Sequence, residues 1–379
     1  MILDMRDANM NKVSKVKIQH FVPQFFQRYF SHENNGKTIG MFNIESGVFK
    51  ASVPIRTQSY KDYFYGKSGE LETWLSELES KSAPIFRAMW EKEQLPVYKS
   101  AEHLDMVHFA LILDLRNPLR FNLLEDLATL ISNTKSSIRE GNIPTNLIPK
   151  FKELQTERGK LSSLTSAHLL VPELLDLKFK LIRNKTAKPF IISDNPLIMY
   201  NQFLEKRNWN FMSNSDYGLK GLQMFLPVND QYVLMIYDSE IYKVGNKKDK
   251  IIDMDDEKCI DQLNILQILN SSNIVNFNHC ASEYYIQTLV DKSKRFKKAN
   301  EAFIKVHPIK EKSSDSEANI QINELGMTNL ETNLNIQKVK FTTKSKYIKL
   351  EDRNGQYRKN AKLTIVKPFV VPSIVYKPI

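Results

Sequence analysis

The sequence predicts an α+β fold: a helical layer packed on a mainly antiparallel sheet, with a basic, β-rich C-terminal appendage. Three observations point there. Short apolar runs come in pairs joined by tight polar turns, as antiparallel hairpins do. Between them lie stretches whose apolar residues recur at three- and four-residue spacing, the pattern of amphipathic helices. Residues 336–379 alternate lysine with apolar residues, which reads as short strands with one basic face.

Taken in order, residues 1–16 read as a polar leader. The stretch KIQHFVPQFFQRYF, Lys17 to Phe30, opens the main unit. Pro23 suits a first helical position, because it needs no donor and its φ is preset. Phe26, Tyr29 and Phe30 then share one helix face, Gln24 and Arg28 share another, and His20 stands just ahead. KTIGMFNIESGVFKASV predicts a hairpin turning at Glu45-Ser46-Gly47. Ser68 is the expected N-cap of a helix with the stripe Leu71, Trp74, Leu75 and Leu78. Residues 101–136 predict two helices broken at Asn117-Pro118.

VPELLDLKFKLIRN predicts a helix with Pro172 in its first turn. KPFIISDNPLIMY predicts two strands around a sharp turn at Asp194-Asn195-Pro196, and LQMFLPVNDQYVLMIYD a strand pair turning at Asn229-Asp230. DEKCIDQLNILQILNSSN reads as an amphipathic helix; the segment from Ile274 starts as a strand and ends as a basic helix. The expected organisation is a leader (1–16), a main α+β domain (17–308), a polar linker (309–335) and the basic segment (336–379).

Composition narrows the function classes. With 42% hydrophobic residues in 379, the chain has ample material for a core. Only 12 glycines argue against Gly-rich barrels and collagen-like repeats. Cys259 and Cys280 alone build neither a disulfide framework nor a thiolate zinc site. No apolar run approaches the ~18 residues of a membrane helix, and the N-terminus lacks a signal peptide, so a soluble, cytosolic protein without a membrane partner is expected. The net charge of +11 attracts polyanions such as nucleic acid; a lysine-rich genomic bias gives the same figure.

There is no P-loop, GxGxxG, HExxH, GxSxG or CxxC pair. What remains is polar residues in apolar settings. HFVPQFFQRYF resembles the HxVPQFYLRNF start of domain-of-unknown-function family number 4238. Further pieces follow in that family's order: DYFY at 62–65, ELETWLSELESKSAPI, ALILDLRNPLRF, KPFIISDNPLIMY and FLPVNDQYVLMIYD. The resemblance covers roughly residues 17–290 and leaves the basic tail without a counterpart. It supplies positions and no activity.

The candidate residues each carry two readings. His20 is either a packed histidine or a general base or metal ligand. Arg28 is a surface ion-pair donor or an anion clamp. Glu72 and Glu79 lie two helical turns apart on one face and suit Mg²⁺ or Mn²⁺, or acid–base work, unless both simply face water. Arg116 caps a helix end or holds phosphate. Asp194 is an Asx-turn residue or, with Glu72 and Glu79, a metal ligand. In the tail, Lys338, Lys340, Lys344, Lys346, Lys349 and Arg358, interleaved with Phe341 and Tyr347, form either a solvated face or a grip on a phosphate backbone.

These residues point to a metal-dependent, nuclease-like enzyme whose catalytic set is His20, Glu79, Asp194, Arg28 and Arg116. Two alternatives stay open: a non-catalytic module that binds nucleic acid or protein, and a hydrolase acting on a small phosphorylated substrate in a closed pocket. A toxin or phage-defence role would suit the first.

Overall fold

The computed structural model of the chain describes residues 17–122, 156–209, 214, 216–297, 302–311, 318–327, 329–350 and 357–358. The predicted leader therefore lies outside the described residues, as does most of the second helix expected over 101–136.

The chain opens on β1 (Ile18–His20) and the short helix α1 (Gln24–Arg28). β2 (Thr38–Asn43) and β3 (Phe49–Pro54) form the predicted hairpin, and β4 (Tyr60–Asp62) returns antiparallel to β1, with Tyr60 opposite His20. The helices α2 (Glu70–Glu91), α3 (Ala101–Leu115), α4 (Glu157–Thr165) and α5 (Val171–Leu174) follow. Next come β5 (Lys178–Asn184), β6 (Ile192–Ser193), β7 (Ile198–Tyr200) and α6 (Gln202–Glu205). Then come β8 (Gln223–Pro227), β9 (Tyr232–Tyr237), β10 (Tyr242–Val244) and β11 (Ile251–Met254). α7 (Glu257–Asn270), β12 (Ile274–Phe277) and α8 (Glu283–Ser293) complete the region predicted from the main apolar patterns. β13 (Ala302–Glu311), β14 (Ala318–Met327) and β15 (Val339–Phe341) follow.

The fold is α+β with mostly antiparallel pairing. A five-stranded sheet runs β11–β5–β9–β8–β7, in which β11 lies parallel to β5. A four-stranded sheet runs β3–β2–β12–β6. The larger sheet separates two cores. Leu181, Leu234, Met224 and Leu226 belong to the core shared with α1, α2 and α3, whereas their neighbours Ile182, Val233, Met235 and Phe225 belong to the core shared with α7 and α8. Side chains alternate faces along a strand, so each strand feeds both cores.

Aromatic packing pins α1 in place. Phe26, wholly buried, meets Phe86 of α2 at 5.8 Å and Phe109 of α3 at 5.9 Å, and those two rings meet each other at 4.9 Å. Such pairs add about 0.5–1.5 kcal/mol each beyond the area they bury. α2 starts one residue later than its predicted Ser68 cap. Gly69 takes the left-handed φ of 80° there, and the Ser68 hydroxyl accepts the Glu70 N–H at 3.3 Å.

Two expectations are corrected. The helix predicted over VPELLDLKFKLIRN stops at Leu174, and Lys178–Asn184 is strand β5. Leu181 and Ile182 are both fully buried, one against each core. A strand covered on both faces loses the alternation that identifies strands. The stretch predicted as a linker over 309–335 instead carries much of the β13–β14 hairpin, and Leu330 and Leu334 are buried in the second core. β15 then pairs with β10, Tyr242 opposite Phe341, so residues 329–350 pack on the main body.

One buried titratable group on α3 sets a pH dependence. His103 has 0% exposure, and its ring lies 4.7 Å from Phe179 and 5.3 Å from Tyr98. Nδ1 accepts the Lys99 N–H at 3.0 Å. Burial, helped by the Lys178 charge, pushes its pKa down to about 4. The unfolded chain therefore takes up this proton first, so the stabilisation is whole above about pH 6.5 and drains away as pH falls toward about 4. Denaturant midpoints are expected to drop by the equivalent of about 2 kcal/mol between about pH 7 and about pH 5, and less steeply in a His103→Asn variant.

Candidate active site

The polar residues of the opening stretch divide into two kinds. Gln19 and Gln27 are fully buried and hold backbone. Gln19 accepts the Tyr65 N–H at 2.7 Å and donates to the Gly66 carbonyl at 3.0 Å; Gln27 donates to the Val22 carbonyl at 2.8 Å. His20, Gln24 and Arg28 form a row from the end of β1 along α1. The His20 Nε2 lies 3.2 Å from the Arg56 carbonyl. A carbonyl can only accept, so Nε2 carries the proton and Nδ1 keeps its lone pair. Nδ1 faces the Gln24 amide at 3.5 Å, and the other end of that amide meets the exposed Arg28 guanidinium at 3.5 Å. Burial lowers the His20 pKa; the Arg56 carbonyl opposes this, and the Arg116 and Arg28 charges add to it. The imidazole is thus held neutral and singly oriented.

Arg116 ends α3 and turns inward, with only 2% of its surface exposed. It donates to the Glu79 carboxylate at 2.7 Å and to the His20 carbonyl at 2.5 Å. The Tyr65 ring lies 6.0 Å from the guanidinium, and the Tyr65 hydroxyl donates to the same His20 carbonyl at 3.4 Å. Burial opposes the Arg116 charge, but Tyr65 and Glu79 hold its pKa above the ordinary value. Glu72, half-buried on the same helix as Glu79, has its pKa raised by burial; the Arg116 charge works against that shift and Glu79 adds to it. Glu79 therefore holds the guanidinium directly, Glu72 feels only its charge, and that guanidinium also holds the backbone of the histidine.

Of the predicted residues, the fold brings His20, Arg28, Glu72, Glu79 and Arg116 together. The Asp194 carboxylate is engaged elsewhere. The Asp194 carboxylate accepts the Ser272, Asn273 and Ile274 N–H groups at 2.7, 3.0 and 3.2 Å, and its carbonyl accepts from the Asn117 amide at 2.8 Å. It secures the entry to β12. The predicted set Glu72, Glu79 and Asp194 is therefore not assembled, and among the described residues no three His, Cys, Asp or Glu side chains come together as a metal site.

The Ser-Asp-Asn-Pro turn is held from a second side by residues that the sequence reading missed. Asn264, Gln267 and Asn270 recur every third residue on one face of α7. Asn264 accepts the Ile191 N–H and donates to the Pro189 carbonyl; Gln267 accepts from Ser193 and donates to the Pro196 carbonyl; Asn270 donates to the carbonyls of Asn195 and Leu197. Their signal was the three-residue amide spacing along the helix.

The basic tail also divides. Arg358 is 3% exposed and cannot meet a phosphate backbone as predicted. It pairs with Asp176 at 3.0 Å and donates to the carbonyls of Glu173, Tyr217 and Leu219. Lys338 donates to the Asp253 carbonyl at 2.6 Å. Lys340, Lys344, Lys346 and Lys349 are exposed beside Tyr347, which is 80% exposed.

A concave site separate from these residues comes from segments far apart in sequence. A cleft of about 320 Å³ is lined by Tyr29, Trp90, Asp230, Asn278, His279 and Cys280, among others. Its sequence signal was faint: the Asn229-Asp230 turn and the Asn-His-Cys run after β12.

Among the described residues, no helix is long and apolar enough to cross a membrane. Residues 18–280 match the family model described as "Protein of unknown function (DUF4238)", in agreement with the resemblance read from the VPQF and SDNP motifs. No curated protein and no solved structure matches the chain.

Proposed function

The chain belongs to the DUF4238 family, and we propose that it cleaves nucleic acid with His20 as general base. The observation that carries this reading is the orientation of His20. The Arg56 carbonyl fixes the Nε2 proton, so the Nδ1 lone pair points at the Gln24–Arg28 row on the rim of the protein. A nucleophile that takes the place of the long Gln24 contact loses its proton to Nδ1 as it attacks phosphorus. The bond to the leaving oxygen breaks, and the imidazolium or solvent returns a proton to that oxygen. Arg28, exposed and cationic, suits a phosphate oxygen. Arg116 and Glu79 act as positioning residues through the His20 carbonyl. In this proposal Arg116 takes, beside Glu79, the part that a divalent ion was expected to take. The net charge of +11 favours a polyanionic substrate.

The test incubates the full chain with total RNA, single-stranded DNA and plasmid, in Mg²⁺, Mn²⁺ or EDTA. Cleavage that persists in EDTA and slows about a hundredfold in His20→Ala is expected. The acidic limb of the pH–rate profile should fall below the ordinary histidine value of about 6.5, because the His20 pKa is lowered. Cleavage that needs a metal and disappears in Glu79→Gln would return the carboxylates to the role of metal ligands.

A second reading has its own observation. The exposed Lys340, Lys344, Lys346 and Lys349 beside Tyr347 suit a non-catalytic nucleic-acid module, with stacking on the ring and lysines on phosphates. Salt-sensitive binding without turnover, lost when these four lysines become glutamates, would favour it.

A further inference from the structure

We propose that the cleft beside α1 and α2 binds a nucleobase carrying an exocyclic amine, stacked against the Trp90 and Tyr29 side and read by the Asp230 carboxylate. The inference deepens the nucleic-acid reading and rests on it for the substrate class alone. The size fits: about 320 Å³ is near the lower end of the range for ligand cavities. The walls are aromatic, with Tyr29 and Trp90 rings 5.7 Å apart and Tyr232 anchored through its hydroxyl to Glu93 at 2.7 Å. A base offers a π-face to such walls whatever its identity.

The lining also holds unmet hydrogen-bonding capacity. The Trp90 Nε1–H is buried and has no partner among the described residues. Asp230 is held by its own backbone N–H and the neutral Asn278 amide, and no lysine or arginine acts on it among the described residues. Burial raises its pKa, with its own backbone N–H and the Asn278 amide opposing. A carboxylate in this setting gains from an N–H donor supplied by a ligand, as carboxylates accept from the amine of cytosine.

The neighbouring Cys280 and His279 do not make the cleft a thiol site. The His279 Nδ1 accepts the Glu33 N–H at 3.1 Å, so Nε2 carries the proton where it faces the Cys280 sulfur at 3.6 Å. That nitrogen cannot take a proton from the thiol. Burial and the Asp230 charge push the thiol pKa up, away from the thiolate a nucleophile needs. The site is built to bind.

The test is calorimetric titration of cytidine, guanosine and uridine into the full chain. Nucleosides have no phosphodiester bond, so the result is independent of cleavage. Saturable one-site binding of cytidine or guanosine is expected, tighter than uridine and weakened about tenfold or more in Asp230→Asn. Trp90→Phe keeps the ring and removes the donor. It is expected to weaken binding several-fold, and it decides the matter if Asp230→Asn does not fold. His20→Ala should bind as the wild type does. If nucleosides bind in this pattern while no nucleic acid is cleaved, the cleft stands and the cleavage reading falls. The proposal is overturned if no nucleoside saturates the site, if Asp230→Asn and Trp90→Phe bind unchanged, or if a simple amine such as agmatine binds more tightly than cytidine and guanosine.

Discussion

Replacing Arg116 with methionine is expected to lower stability by roughly 3–5 kcal/mol, the range seen when one partner of a buried ion pair is removed. The guanidinium is 2% exposed and answers two acceptors, the Glu79 carboxylate and the His20 carbonyl. Methionine fills much of the volume and satisfies neither. Glu79 keeps 25% of its side-chain surface exposed, so part of its charge stays hydrated and the lower half of the range is the better guide. Urea denaturation measures the loss. Adding Glu79→Gln to Arg116→Met should restore part of it, since the stranded carboxylate is then gone. A single variant within about 0.5 kcal/mol of the wild type, the scale of an ordinary surface substitution, would show that the pair is no anchor. Because Arg116 also holds the backbone of His20, any cleavage activity should fall in the single variant even at temperatures where it stays folded.

Asp194→Asn is expected to cost about 3 kcal/mol, although the side chains are nearly identical in shape. One carboxylate oxygen accepts the Ser272 N–H and the other accepts both Asn273 and Ile274. The asparagine NH₂ group must face at least one backbone donor in either orientation. Amide hydrogen exchange should quicken at Ser272 to Ile274 and along β12, which β2 and β6 flank. The opposite result is as informative. A variant that keeps its denaturation midpoint and its exchange pattern but loses cleavage would put Asp194 into the chemistry and overturn its structural role. Inactivity accompanied by lost stability carries no such weight, because β12 leads directly into Asn278, His279 and Cys280.

Several features were legible in the sequence because they depend on residues within a turn or two of each other. Local apolar spacing does not show that α7 is buried on nearly every side rather than amphipathic, but the stripe of α2, the existence of α7, the hairpin of β2 and β3 and the β8–β9 pair all follow from it. So do the row His20, Gln24 and Arg28 and the shared helix face of Glu72 and Glu79. The motifs VPQF and SDNP marked the family before any coordinate was known.

What local spacing could not decide was set by which segments the two cores bring together. β5 read as helix because burial on both faces erased its alternation. Arg116 read as a helix-end cation or phosphate holder and Arg358 as part of a basic face, yet both are buried, because acceptors from distant segments converge on them: Glu79 and His20 on one, Asp176, Glu173 and Tyr217 on the other. Asp194 read as a metal ligand, since nothing in its own neighbourhood announces three backbone donors some eighty residues later. The cleft joins residues from Tyr29 to Cys280. Sequence by itself determined the family and the elements whose apolar spacing is one-sided. The partners of each buried charge came from tertiary structure alone, because a charge leaves water only where the folded chain supplies its counter-groups, and those are chosen by sheet order and packing rather than by sequence distance.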